Sequence, residues 1–63
     1  MRITMRAARI NKGLTQADVA RELHVTKKTV GSWENGKTKP KIDLIEPICT
    51  LYGRSYDEIA WNN

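Results

Sequence analysis

Helix-capping residues and glycines recur at short intervals along this chain, and they restrict it to a cluster of short helices. Thr4, Thr15 and Thr26 each stand where a side-chain oxygen can cap the first turn of a helix. Gly13 stands where the first helix would end, and Ser55 opens a capping-box sequence with an acidic residue three positions later. The helices predicted from these signals span residues 4–12, 16–23, 27–35, 43–52 and 56–60.

The fourth predicted helix has the clearest apolar face, with the i, i+3, i+4, i+7 spacing of a helix packed on a core. The residues in this pattern are Ile45, Ile48, Cys49 and Tyr52. We place the start of this helix at Asp43, so that Pro47 falls in or just beyond the first turn, where proline costs less than in mid-helix.

A chain of 63 residues has room for one domain. We predict an all-α fold, a compact five-helix domain over residues 1–63.

Positive charge is concentrated in the first two thirds of the chain. Residues 1–26 carry five basic and two acidic side chains, and residues 27–42 carry five lysines and one glutamate. Residues 43–63 carry one arginine and four acidic side chains, so the last third is net negative. A positive region of this kind attracts a polyanion such as nucleic acid, although lysines also serve simply to keep a surface soluble.

The residue composition argues against several other classes of protein. The chain has one cysteine and one histidine, too few for a disulfide or a four-ligand zinc site. It has no apolar run that could span a membrane and no secretory signal, which predicts a cytoplasmic protein. It also shows no Ser/His/Asp set, no paired carboxylates in a plausible cleft and no phosphate-binding glycine loop. We therefore expect no enzyme activity, metal, cofactor, small-molecule substrate or membrane partner.

Residues 16–35 have the pattern of two short helices that cross at a tight turn. Ala20 is small, as a close helix crossing requires. Val25, Val30 and Trp33 supply apolar contacts that would fix the crossing angle. The outward positions of the second helix are all polar, so they can hydrogen-bond base edges or phosphates in a DNA major groove. These positions are Lys27, Lys28, Thr29 and Ser32.

Several short motifs carry a family resemblance over residues 5–59. They are GLTQ at 13–16, AREL at 20–23, VGSWENGK at 30–37 and SYDEI at 55–59. In this order and at these spacings, the chain resembles the lambdoid repressor and Cro, or Xre-type, helix-turn-helix DNA-binding domains. The resemblance implies a five-helix fold in which residues 16–35 form the helix-turn-helix.

The same resemblance implies a role for each matching residue. Gln16 would contact a DNA phosphate and brace the recognition helix, and Arg9 and Glu34 would form a partly buried structural ion pair. The residues expected in the groove are Lys27, Lys28, Thr29 and Ser32, and those expected near the sugar-phosphate backbone are Asn35, Lys37 and Lys39. Thr26 is expected first as the N-cap of its helix and also as a phosphate contact. His24 departs from the family pattern at a turn position that needs a positive φ and is usually glycine. Gly31 is also unusual, and it either allows DNA to approach closely or simply weakens the helix.

The sequence therefore predicts a sequence-specific regulator of transcription that binds double-stranded DNA, as a repressor or a Cro-like switch protein of a phage or mobile element. We expect a weak homodimer on a pseudo-palindromic operator, because one recognition helix reads only a few base pairs. The expected dimer surface includes Tyr56, Ile59 and Trp61. The alternative is a helix-turn-helix module that binds a protein partner such as a toxin or an antirepressor. The sequence fits a complete regulator and the N-terminal domain of a longer repressor equally well.

Overall fold

Residues 1–61, the part that the computed structural model describes, form four α-helices and a short two-stranded ribbon. The first strand, β1, is followed by the four helices, a single 3₁₀ turn and the second strand, β2. The elements are β1 Ile3–Thr4, α1 Met5–Asn11, α2 Gln16–Leu23, α3 Lys27–Glu34, α4 Ile42–Tyr52, the 3₁₀ turn Tyr56–Glu58 and β2 Ile59–Ala60.

Threonine hydroxyls cap the first three helices, which confirms the three predicted helix starts. Thr4, Thr15 and Thr26 each accept a hydrogen bond from the backbone N–H three residues later, at 3.0, 3.0 and 3.1 Å. The Asp18 carboxylate accepts in return from the Thr15 backbone N–H at 2.9 Å, which completes a capping box. Each cap satisfies a backbone donor that the helix itself leaves unpaired, and such a cap is typically worth ~1 kcal/mol.

The predicted fifth helix is wrong, and so is the description of the fold as five helices. The capping box at Ser55 forms, with the Ser55 N–H donating to Glu58 at 2.9 Å, but it opens only a 3₁₀ turn. Ile59 then takes an extended backbone conformation (φ −108°, ψ 133°). In that conformation it pairs in parallel with Ile3 of β1 and places a fully buried side chain in the core. Strand pairing and core burial therefore override the local helix signal.

The fourth helix begins before the predicted residue. Lys41, extended at φ −66° and ψ 155°, is the N-cap and makes no side-chain capping bond, so Asp43 lies in the first turn and is not the cap. Pro47 consequently lies inside the helix. Since proline has no N–H, it cannot bond the Asp43 carbonyl four residues earlier. The helix ends as predicted, at Gly53 in the left-handed conformation (φ 66°).

The core is formed by all four helices and by β2. Its buried apolar residues are Met5, Ala8, Val19, Ala20, Leu23, Val30, Trp33, Ile48, Tyr52 and Ile59. Ala20 is 6% exposed where α2 and α3 pack together, as the close crossing requires. Val30 and Trp33 are buried as predicted, and they fix the opposite face of α3 toward solvent.

Candidate nucleic-acid interface

A left-handed residue makes the sharp turn between α2 and α3. His24 lies at φ 58° and ψ 41°, which confirms the positive φ predicted for this position. The Val25 N–H donates to the Ala20 carbonyl at 3.0 Å and the His24 N–H to the Arg21 carbonyl at 3.4 Å. These two bonds form a Schellman motif, which satisfies the last carbonyls of α2 and fixes the direction of the following chain. Thr26 then caps α3 within two residues.

The exposed face of α3 is bordered by two shallow recesses, which share Lys28 and Ser32. The α2–α3 recess is lined by Gln16, Lys27, Lys28, Gly31, Ser32, Asn35 and Lys37. The α3–α4 recess includes Lys28, Thr29, Ser32, Thr38, Lys39 and Lys41 among its lining residues. Lys28 and Ser32 therefore form the ridge between the recesses, and eight of the nine residues predicted to bind DNA line one recess or the other.

Thr26 is the predicted DNA-binding residue that lines neither recess. Its hydroxyl accepts from the Thr29 N–H and also lies 2.9 Å from the Thr29 hydroxyl. The two hydroxyls therefore form a hydrogen bond with each other at the exposed start of α3. Thr26 acts as a helix cap, and the residue is exposed at the surface.

Gln16 is held in place by a neighbouring carboxylate. It is the first residue of α2, and its Nε2 donates to Oε1 of Glu34 at 3.0 Å. An amide nitrogen carries two protons, so this bond fixes the side chain while a second N–H is available at the recess. Glu34 itself is on α3, so the bond also ties the start of α2 to the end of α3.

The predicted ion pair between Arg9 and Glu34 is confirmed. Arg9 Nε lies 2.7 Å from Oε2 of Glu34, and Arg9 Nη2 lies 3.2 Å from Oε1. Arg9 Nη1 also donates to the Leu14 carbonyl at 2.9 Å. The two side chains are 11% and 4% exposed, and the hydrogen bond to Glu34 raises the pKa of Arg9 above its usual value. Neither residue lines the two recesses beside α3, and both side chains are largely buried, so the pair links α1 to α3.

The loop after α3 carries three exposed residues of the interface. Asn35 ends the helix, Gly36 turns the chain at φ 77°, and the Lys37 N–H donates to the Ser32 carbonyl at 3.0 Å. Lys39 follows next to Pro40, which is buried. The loop is therefore anchored at both ends, and its lysines flank α3.

Several residues that line the recesses were not predicted to bind DNA, among them Thr38, Lys41 and Gly31. Thr38 and Lys41 line the α3–α4 recess, and Gly31 lies on the surface of the α2–α3 recess. The lysine-rich run at residues 37–41 was a usable signal for Lys41. Gly31 has no side chain that could donate a hydrogen bond to DNA, so residue type alone does not indicate a DNA contact there.

Three residues were predicted for a dimer surface. Tyr56 is exposed and Trp61 is partly exposed, but Ile59 is buried. Ile59 is fully buried, so its prediction as an interface residue is wrong: its side chain is already packed in the core. Tyr56 is 62% exposed and stacks on Trp61, with ring centroids 5.6 Å apart. Trp61 Nε1 also donates to the Tyr56 carbonyl at 2.9 Å. The two rings border an apolar groove whose other lining residues are Lys39, Pro40, Ile42, Ile45, Glu46 and Cys49.

Neither a membrane span nor a metal-binding cluster is found among residues 1–61. None of the helices there has both the length and the apolar character needed to cross a bilayer. No three His, Cys, Asp or Glu side chains of this part of the chain are grouped as metal ligands would be.

The comparison with known families decides what this arrangement of helices is. A family model described as Helix-turn-helix matches residues 5–59, from the start of α1 to the start of β2. The chain belongs to the Xre-type helix-turn-helix family. The matched residues include α2 and α3, the two helices joined by the turn at His24.

One curated relative also matches. The chain is 31% identical over 51 residues to the HTH-type transcriptional activator BcrR of Enterococcus faecalis. The match covers 81% of this chain and 25% of that protein, so the chain spans about a quarter of its relative's length. No solved structure matches the chain at a significant level.

Proposed function

We propose that this chain is a sequence-specific DNA-binding domain that regulates transcription, with α3 inserted in the major groove. The observation that carries the proposal is the polarity of α3. Val30 and Trp33 bury one side of the helix, while the ridge of Lys28 and Ser32 projects between two lysine-bearing recesses on the other. A short helix with one buried side and one polar side is the element that a major groove admits.

The proposed contacts follow from where each side chain lies. Residues on the exposed side of α3 would reach base edges: Lys27, Lys28, Thr29 and Ser32. Residues at the helix ends and in the following loop would meet the two flanking phosphate strands: Gln16, Thr26, Asn35, Lys37 and Lys39. Phosphate contacts of this kind set the orientation of α3, and the base contacts supply the sequence preference.

We also propose that the domain binds a pseudo-palindromic operator as a weak homodimer. The groove beside Tyr56 and Trp61 supports this, because Ile42 at its edge is 91% exposed and the groove is largely apolar. A second copy seated there would cover these side chains, and two recognition helices would then read successive turns of the major groove.

The regulatory role that we propose is repression in the cytoplasm, as by a Cro-like switch protein of a phage or mobile element. The relative described above is named as an activator, and operator position relative to the promoter would decide which effect occurs here. A promoter fusion carrying the operator would report the sign directly.

Binding to a labelled duplex of random sequence, measured by fluorescence anisotropy at increasing salt, tests the DNA-binding proposal. Each phosphate that the protein neutralises contributes about −0.9 to the slope of log affinity against log salt. A linear decrease with a slope of several units is expected. Absent or salt-independent binding would favour a module that binds a protein partner.

A further inference from the structure

Gly31 lies in the interior of α3, where the backbone conformation does not require glycine. It is the fifth of the eight residues of α3, and glycine is the least favourable residue in a helix interior apart from proline. The residues of the described chain with positive φ are Gly13, His24, Gly36 and Gly53. Gly31 is not among them, so any L-residue could adopt its backbone conformation.

Packing does not require a glycine at this position either. A Cβ atom added to Gly31 would meet only Gln16 Nε2 and Oε1, both at 3.8 Å. That distance is an ordinary van der Waals contact. The protein therefore has room for alanine here, and neither helix geometry nor the core accounts for the missing side chain.

What remains is the space in front of Gly31. It opens into the α2–α3 recess, whose side-chain walls carry three lysines, two amides and a hydroxyl, namely Lys27, Lys28, Lys37, Gln16, Asn35 and Ser32. Among residues 1–61, none with a carboxylate or an apolar side chain lines this recess. Such walls suit an anion with several acceptor oxygens, and a phosphodiester is the anion that a DNA duplex presents at a groove edge.

We propose that Gly31 keeps this recess open for one DNA backbone phosphate, which lies against the α3 backbone beside the Gln16 amide. Glu34 holds the Gln16 nitrogen at 3.0 Å, so one wall of the recess is fixed before DNA arrives. The helix thus has a poor helix former where DNA must approach closely. This inference rests on the proposed function and adds to it a steric determinant of the binding site.

The variant that tests the proposal is Gly31→Met. Methionine favours helix, is flexible and uncharged, so it fills the recess without changing the charge of the protein. We expect a melting temperature at or above that of the wild type and at least a tenfold loss of affinity for a selected duplex. The slope of log affinity against log salt should become shallower by about 0.9, the loss of one phosphate contact. Gly31→Ala should also be more stable than the wild type, with a smaller loss of affinity.

The matched control is Thr50→Met, at an exposed position of α4 outside both recesses. It adds the same side chain and should leave affinity and salt slope unchanged. An equal loss of affinity in this control would overturn the proposal. If Gly31→Met fails to fold, Gly31→Ala provides the same test, because its Cβ meets no close contact.

Duplexes with single neutral methylphosphonate links identify the phosphate itself. The wild type should lose affinity at one link to which Gly31→Met is no longer sensitive. Unchanged affinity and slope in Gly31→Met would overturn the inference, and so would a loss of affinity with an unchanged slope and an unchanged phosphate map. A wild type without salt-dependent DNA binding would instead overturn the proposed function.

Discussion

Arg9 and Glu34 join α1 to α3 by a two-point ion pair, with Nε–Oε2 at 2.7 Å and Nη2–Oε1 at 3.2 Å. The same Oε1 accepts from Gln16 at the start of α2. One carboxylate therefore ties three helices together directly behind the proposed DNA-binding face. The position of α3 depends on this pair as well as on its apolar side.

Loss of one partner of this pair should be costly. Glu34→Ala leaves the guanidinium of Arg9 poorly paired at a site where it is 11% exposed. We expect a decrease of about 3 kcal/mol or more in the free energy of unfolding, measured by urea denaturation. The double variant Arg9→Met with Glu34→Leu should be less destabilised than Glu34→Ala, since no charge is left buried. A double variant that is worse than the single one would contradict this account.

The proposed DNA-binding face predicts that removing two different positive charges will have unequal effects on DNA affinity. Lys28 lies on the ridge that borders both recesses, whereas Arg54 follows α4 and lines neither. Lys28→Ala should weaken binding to a selected duplex by roughly tenfold or more, and Arg54→Ala should change it by less than about twofold. Anisotropy titrations at one salt concentration compare them. Equal effects would place the DNA face elsewhere.

The turn of the helix-turn-helix carries backbone strain at His24. An L-residue in the left-handed conformation is disfavoured by roughly 1–2 kcal/mol, and glycine avoids most of this cost while losing some chain entropy. His24→Gly should therefore raise the free energy of unfolding by about 0.5 kcal/mol. His24→Val should lower it, because a β-branched side chain fits this conformation worst. Thermal unfolding of both variants checks the order, and a stabilised valine variant would be inconsistent with a left-handed turn.

Stability should fall at alkaline pH because of Tyr52. Burial and, to a smaller extent, the Glu34 carboxylate raise the pKa of Tyr52 to about 12, against a smaller opposing effect of Arg9. Between pH 10 and pH 12 the unfolded chain loses the phenolic proton of Tyr52, whereas the folded chain retains it. The unfolded state therefore binds fewer protons, and the free energy of unfolding decreases as the pH rises. The stabilisation is complete below pH 10 and is lost as pH rises through the folded pKa.

Urea denaturation at several pH values tests this titration. The free energy of unfolding should decrease more steeply above pH 10 for the wild type than for Tyr52→Phe, which has no phenolic proton to lose. The lysines titrate in both proteins, so the difference isolates Tyr52. Parallel curves would show that Tyr52 has the same pKa in both states.

Local signals in the sequence were sufficient for the part of the fold that forms the candidate site. Thr15 with Asp18, and Thr26 with Thr29, form the predicted caps because these bonds lie within one turn. The Arg9–Glu34 pair spans 25 residues, and it followed from a family resemblance, since no local pattern predicts it. The helix-turn-helix was therefore predictable together with most of its exposed polar face.

The wrong prediction of a fifth helix concerns an interaction between distant segments. The Ser55 capping box does form, but Ile59 gains more from burial and from pairing with Ile3 than from another helical turn. Ile3 and Ile59 lie far apart in the sequence, so no local pattern predicts that they pair. The start of α4 at Ile42 differs from the prediction for a local reason, because Lys41 is an N-cap without a side-chain capping bond. The sequence leaves two explanations for Gly31 open, a close approach of DNA or a weakened helix, because the choice depends on the recess that folding places in front of it.

Selection of bound duplexes from a random DNA pool is the most direct test of sequence-specific DNA binding by α3. We expect enrichment of an inverted repeat whose half-sites lie about one helical turn, roughly 34 Å, apart. The affinity of the recovered site should fall steeply with salt. An unrepeated half-site would contradict the proposed dimer, and a pool with no enriched sequence would contradict sequence-specific DNA binding by α3.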